Sequence, residues 1–108
     1  MNVYDSAHNL SKAIKESDAY KDYANAKNNL ESNKSLNQSF MDFKQRESDL
    51  RASMIGGKNP DEKEIEELNK LFGVLSKDPL CSEYFRAEGL YRQLLDDLSK
   101  ILAEAMQI

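Results

Sequence analysis

The residues of this chain that could do chemistry are few and far apart. His8 is the single histidine. It stands in YDSAHNL beside Ala7, with only Asp5 within one helical turn. A metal site or a general base needs other groups converging on the imidazole. No HExxH pattern or second histidine supplies them, so His8 reads as a rim residue. Cys81 is the single cysteine, which excludes an intrachain disulfide. It falls in the first turn of a helix, where the dipole can lower a thiol pKa and make it reactive or metal-binding. It also continues the apolar face of Tyr84, and a buried free cysteine behaves as a small hydrophobe, so packing is expected. An iron–sulfur cluster usually takes four thiolates, and two copies of this chain bring only two.

The other chemical candidates have plainer readings. Gly56-Gly57 is not followed by GK[ST], so the phosphate-loop pattern fails. Asp61, Glu62, Glu64, Glu66 and Glu67 form a charge run that reads as a solvated first helical turn, with a docking patch as the sharper alternative. Glu47 interrupts an apolar line and has Arg51 one turn on, either as the bundle edge or as a registry-fixing polar group. Tyr20, Tyr23, Phe40, Phe43, Tyr84, Phe85 and Tyr91 could line a ligand box, but at helical spacing they read as core. No nucleophile has a base beside it, and no carboxylate pair has assignable roles.

The elements that would position these residues are all helical. Val3, Ala7, Leu10 and Ile14 lie on one helix face, and Ala19, Tyr23, Ala26 and Leu30 on the next, with Ser17 as the cap between them. Asn33 caps a third helix carrying Leu36, Phe40, Phe43, Leu50 and Met54. The break SMIGGKNPDEKEIEEL follows. Gly56 and Gly57 end the helix, because a helix terminus favours a left-handed residue. Asn59 is expected as the next cap, Pro60 at the first helical position and Glu62 closing a capping box. The fourth helix presents Ile65, Leu68, Phe72 and Leu75, and Asp78-Pro79 starts a fifth.

That fifth helix carries a line through Tyr84, Ala87, Tyr91, Leu94, Leu98, Ile101, Ala105 and Ile108, alternating by 3 and 4, widened by Leu90, Leu95 and Leu102. Its length is roughly 42 Å at 1.5 Å per residue, against a radius of gyration of about 13 Å for a compact 100-residue domain. The excess is expected to pack on a second subunit through Tyr84, Tyr91, Leu94, Leu98, Ile101 and Ala105. At an offset of 61 residues, Leu10, Ser17, Tyr23 and Ala26 fall on Leu71, Asp78, Tyr84 and Ala87. Duplication and two similar amphipathic hairpins both account for that.

The expected architecture is therefore all-α. About five helices, roughly 2–15, 18–31, 34–55, 60–76 and 79–107, form two antiparallel hairpins in one elongated domain over residues 1–108, completed by dimerisation. Of 108 residues, 40% are apolar and 31% charged, which suits long helices with solvated faces or a core shared between subunits. The net charge is −4, and the 15 Lys and Arg are scattered among 19 carboxylates, which argues against direct nucleic-acid binding. The start MNVYDSAHNL has neither a basic nor an apolar leader segment, and no apolar run reaches membrane-spanning length. A cytoplasmic protein without membrane insertion is expected. AEAMQI closes the chain without a polar tail, as in a whole gene product.

NVYDSAHNLSKAIKESDAYKDYANAKNNL, MIGGKNPDEKEIEELN and DPLCSEYFRAEGLYRQLLDDLSKIL together resemble the YlbF/YmcA family of bacterial helical proteins, nearest its YheA-type branch. The resemblance runs from Asn2 to about Ala105 and rests on apolar patterns and breaks. It implies an all-helical, non-enzymatic cytosolic regulator that associates with related family members and other proteins. It also implies a link to competence, biofilm formation, sporulation and messenger-RNA processing through a membrane-anchored ribonuclease. Some members hold iron–sulfur clusters through cysteines, a feature that Cys81 alone does not match. The resemblance brings no catalytic residue, and no cofactor is expected. The reading is a homodimeric protein-interaction module. The alternative is a bundle binding a small molecule or metal through its aromatic face or Cys81.

Overall fold

The computed structural model describes residues 1–107. Ile108, the last position of the expected apolar line, lies outside the described residues. Five α-helices make up the fold: α1 (Val3–Glu16), α2 (Asp18–Glu31), α3 (Lys34–Ile55), α4 (Glu62–Leu75) and α5 (Pro79–Met106). No strand occurs among the described residues.

Each helix begins and ends for a local chemical reason. Asn2 caps α1, its side-chain oxygen accepting from the Asp5 N–H at 2.8 Å. Ser17 closes α1 and opens α2: its N–H and hydroxyl both donate to the Ile14 carbonyl, at 3.1 and 2.6 Å. The same Oγ accepts from the Tyr20 N–H at 3.2 Å. Asn33 caps α3 by accepting from the Leu36 N–H. Asp78 caps α5 by accepting from the Leu80 N–H at 2.9 Å, with Pro79 at the first helical position.

The end of α3 is a Schellman motif. The Gly57 N–H donates to the Met54 carbonyl and the Lys58 N–H to the Ser53 carbonyl, each at 3.1 Å. Gly57 alone has a positive φ among the described residues, at 88°. Gly56, at φ −74°, is ordinary backbone. The start of α4 corrects the sequence expectation. Asn59 is not the cap, Pro60 is not at the first helical position, and the helix does not begin at residue 60. Asp61 caps instead, accepting from the Lys63 N–H at 3.0 Å, and its carbonyl takes the first helical bond from Ile65 at 3.1 Å. Asp61 places a charged acceptor at the positive helix end, and Pro60 only leads the chain into it.

The chain divides into two compact units. The unit of Asn29–Glu83 holds α3 and α4 as a packed hairpin. Phe40, Phe43, Leu75, Leu30 and Cys81 are buried there. The Phe43 ring lies 6.5 Å from Phe40 and 6.0 Å from Phe72, so facing aromatics close the hairpin. Each fully buried large side chain contributes about 1.5–3 kcal/mol. Glu47 stands at the edge of this hairpin, with Lys44 at 3.8 Å and Arg51 at 3.9 Å.

The other unit, Met1–Asn28 with Tyr84–Ile108, brings α1 and most of α2 against α5. Only Ala26, Tyr84 and Ala87 are buried in it among the described residues, and α1 buries none.

Candidate interaction face

The unit containing most of α5 is built around tyrosines. From α2, Tyr23 stacks on Tyr91 at 5.1 Å and 16°, and Tyr20 meets the edge of Tyr91 at 5.8 Å. The Tyr23 and Tyr84 hydroxyls share a hydrogen bond at 3.1 Å, with their rings 5.5 Å apart. These two residues correspond at the 61-residue offset. Sequence periodicity placed both on apolar faces but did not pair them, although the offset was the signal that could have done so. Burial, then the hydrogen bond with Tyr23 and the nearby Glu88 carboxylate, hold the Tyr84 phenol protonated far above its ordinary range.

The six residues expected at an interface therefore divide. Tyr84 is 6% exposed and belongs to the chain's own packing. Tyr91, Leu94 and Leu98 are half-buried. Ile101 is 60% exposed, and Ala105 is also exposed. Around the last four, Leu90, Leu102 and Met106 are exposed at 51%, 53% and 77%. Val3 and Tyr4 on α1 are more exposed still. One apolar line thus runs along α5 from a covered end to an open one. Beside it, Leu10 and Ile14 of α1, Tyr20 of α2, and Tyr91 and Leu95 of α5 line an open groove of about 300 Å³, with Lys15 at its rim.

The remaining candidates take other places. Gly56 and Gly57 make the α3–α4 turn, and Pro60 leads into α4 without capping it. Cys81 is fully buried, and burial, then the Asp78 carboxylate, push its thiol up. Desolvation outweighs the helix start here and favours the protonated thiol. His8 is exposed on α1. No group of three or more His, Cys, Asp or Glu side chains is placed to hold a metal among the described residues. A second cleft of about 380 Å³ lies between α3 and α4, with Leu50 and Leu68 below Asp49, Glu64 and Glu67. Among the described residues, no helix is long and apolar enough to cross a membrane.

Helical caps, a chain-long set of amphipathic faces and an open apolar line define an all-α protein. The family described as control of competence regulator ComK, YlbF/YmcA, matches residues 3–107, and the chain belongs to it. Among its relatives, a UPF0342 protein of Caldicellulosiruptor saccharolyticus is 35% identical, the alignment covering 99% of this chain and 89% of that protein. A UPF0342 protein of Symbiobacterium thermophilum is 34% identical over 98% of this chain and 95% of its own. One of Bacillus velezensis is 23% identical over 99% and 92%.

Proposed function

We propose that this protein is a non-enzymatic helical interaction module, a cytoplasmic regulator or adaptor of the YlbF/YmcA type and of its YheA-like branch. It works by seating other helices: a second copy of itself, and other proteins including related family members. RNA processing and developmental control are the processes it serves, through protein partners rather than by touching nucleic acid. The observation that carries this reading is the apolar line of α5, which is covered at Tyr84 and Ala87 and open at Ile101 and Ala105. Three buried residues are a small core for the unit that holds this line, and small units gain stability by sharing apolar surface with a partner. The family's description as a control of a competence regulator supports a regulatory rather than a catalytic role.

Sedimentation at micromolar concentration tests it, with a dimer expected. Leu98→Glu places a charge in the middle of the line and should abolish the dimer. Ile101→Glu separates dissociation from unfolding, because Ile101 is already 60% exposed in the single chain. That variant should stay helical and sediment as a monomer. A wild-type protein that remains monomeric at high concentration would sink the self-association.

A further inference from the structure

The order of residues on α5 fixes which way round a second copy lies. Leu94, Leu98, Ile101 and Ala105 follow at 4, 3 and 4 residues. That is the spacing of a two-helix coiled-coil seam, with a mean of about 3.5 rather than 3.6 residues. Toward the N-terminal end the seam is closed by the chain itself. Tyr84 and Ala87 are buried, and Tyr20 and Tyr23 of α2 lie against Tyr91. A helix laid on the seam must therefore stop near Tyr91.

We infer that a second copy of α5 packs antiparallel on the first, with Leu98 against Ile101 of the second copy and Leu94 against its Ala105. This register uses the four seam positions beyond Tyr91, of which Leu94 and Leu98 are half-buried and Ile101 and Ala105 exposed, and it ends each helix where α2 closes the seam of the other. A parallel pair would bring the two α2-covered ends to the same place and leave no room for the seam to close there. The inference rests on the self-association proposed above.

The flanks of the seam agree with it. Leu95 and Leu102 lie on one side, Asp97 and Glu104 on the other. In the antiparallel register, Leu95 meets Leu102 of the second copy, and two-fold symmetry repeats the contact. Leu102 is 53% exposed in the single chain, and Leu95 lines the groove beside α1, so the leucine of one copy closes the mouth of the groove on the other. On the opposite flank Asp97 faces Glu104 of the second copy. Both are exposed, and Asp97 already accepts a hydrogen bond from Gln93 at 2.9 Å. Water and salt screen that repulsion. A parallel pair would set Asp97 against Leu102 and desolvate a carboxylate on a leucine.

The cysteine variants Leu98→Cys and Ile101→Cys, oxidised separately and as a mixture, test the register; native Cys81 is fully buried and does not compete. The mixture should form disulfide-linked dimers well beyond either variant alone. Leu98→Cys joining to itself as fast as the mixture would overturn the antiparallel register. Wild-type sedimentation run beside them keeps the two readings apart, because a monomer there overturns self-association itself. Asp97→Lys supplies a second readout. It turns two like-charge contacts into opposite-charge ones and should tighten dimerisation roughly tenfold at low salt. An unchanged or weaker dimer overturns the flank assignment.

Discussion

Alanine placed at each glycine in turn should give opposite signs, and Gly57 should stand apart. Its φ of 88° lies in the left-handed region, yet a Cβ there meets no atom within 4 Å. The whole penalty is therefore conformational, about 1–2 kcal/mol for a left-handed L-residue. Alanine also restricts the unfolded chain, which offsets about 0.4–1 kcal/mol. The net loss should be close to 1 kcal/mol, and larger for Gly57→Val because a β-branched residue resists this region more. Gly56 is the internal control. Its added Cβ would stand 3.5 Å from the Ala52 and Ser53 carbonyl oxygens, ordinary contact at an ordinary φ. Gly56→Ala should be neutral or slightly stabilising. Gly73 and Gly89 lie within α4 and α5 with open space around them, so alanine should stabilise each by about 0.8–1 kcal/mol through helix propensity. Urea unfolding followed by circular dichroism reads all four variants at a common slope. The reasoning fails if Gly57→Ala is neutral, or if Gly56→Ala loses as much as Gly57→Ala.

Three further outcomes follow from the caps, the thiol and the buried phenol. Asp61→Ala should cost about 1 kcal/mol of stability while Asn59→Ala costs almost nothing; equal losses in urea unfolding would return the cap to Asn59. Cys81→Ala should cost about 1 kcal/mol and leave assembly intact, and Cys81→Ser at least as much, because a more polar hydroxyl is then buried in place of the thiol. Thiol reagents should label native Cys81 slowly and the denatured chain fast, and rapid native labelling would contradict the burial. Tyr84 has its pKa raised by folding, so its contribution is fully present below the unfolded value of about 10 and is lost as pH rises beyond it. Alkaline unfolding should coincide with late phenolate absorbance, and Tyr84→Phe should flatten that loss; an unchanged pH dependence would refute the assignment.

Much of the fold was legible because its punctuation is local. Ser17, Asn33, Gly57 and Asp78-Pro79 act through hydrogen bonds to residues no more than a turn away, so spacing alone located them. The start of α4 was misread because Asn59 and Asp61 are both competent caps two residues apart. Choosing between them depends on where the first helical carbonyl points, which composition does not encode. The face on α5 was legible as apolar but not as covered or open. Periodicity reports that Tyr84 and Ile101 share a line; only the placement of Tyr23 decides that one is buried and the other is not. Cys81 was read as packing, and its full burial agrees. The hydroxyl pair of Tyr23 and Tyr84 needed a tertiary contact between residues 61 apart.

Ser17 is the whole connection between α1 and α2, with φ −69° and ψ 150°. Two torsions therefore aim a lever of 14 residues, roughly 21 Å long. A turn of about 10° at this pivot would swing the far end of α1 by nearly 4 Å, on the order of an atomic diameter. The hydrogen bonds made by this one serine thus set the aim of Val3 and Tyr4. Adding a single residue at the pivot would also rotate one helix against the other by about 100° and turn the apolar line of α1 away from α5. The joint accordingly has almost no tolerance for changes in length, while the exposed tip it steers is free to vary in side-chain chemistry.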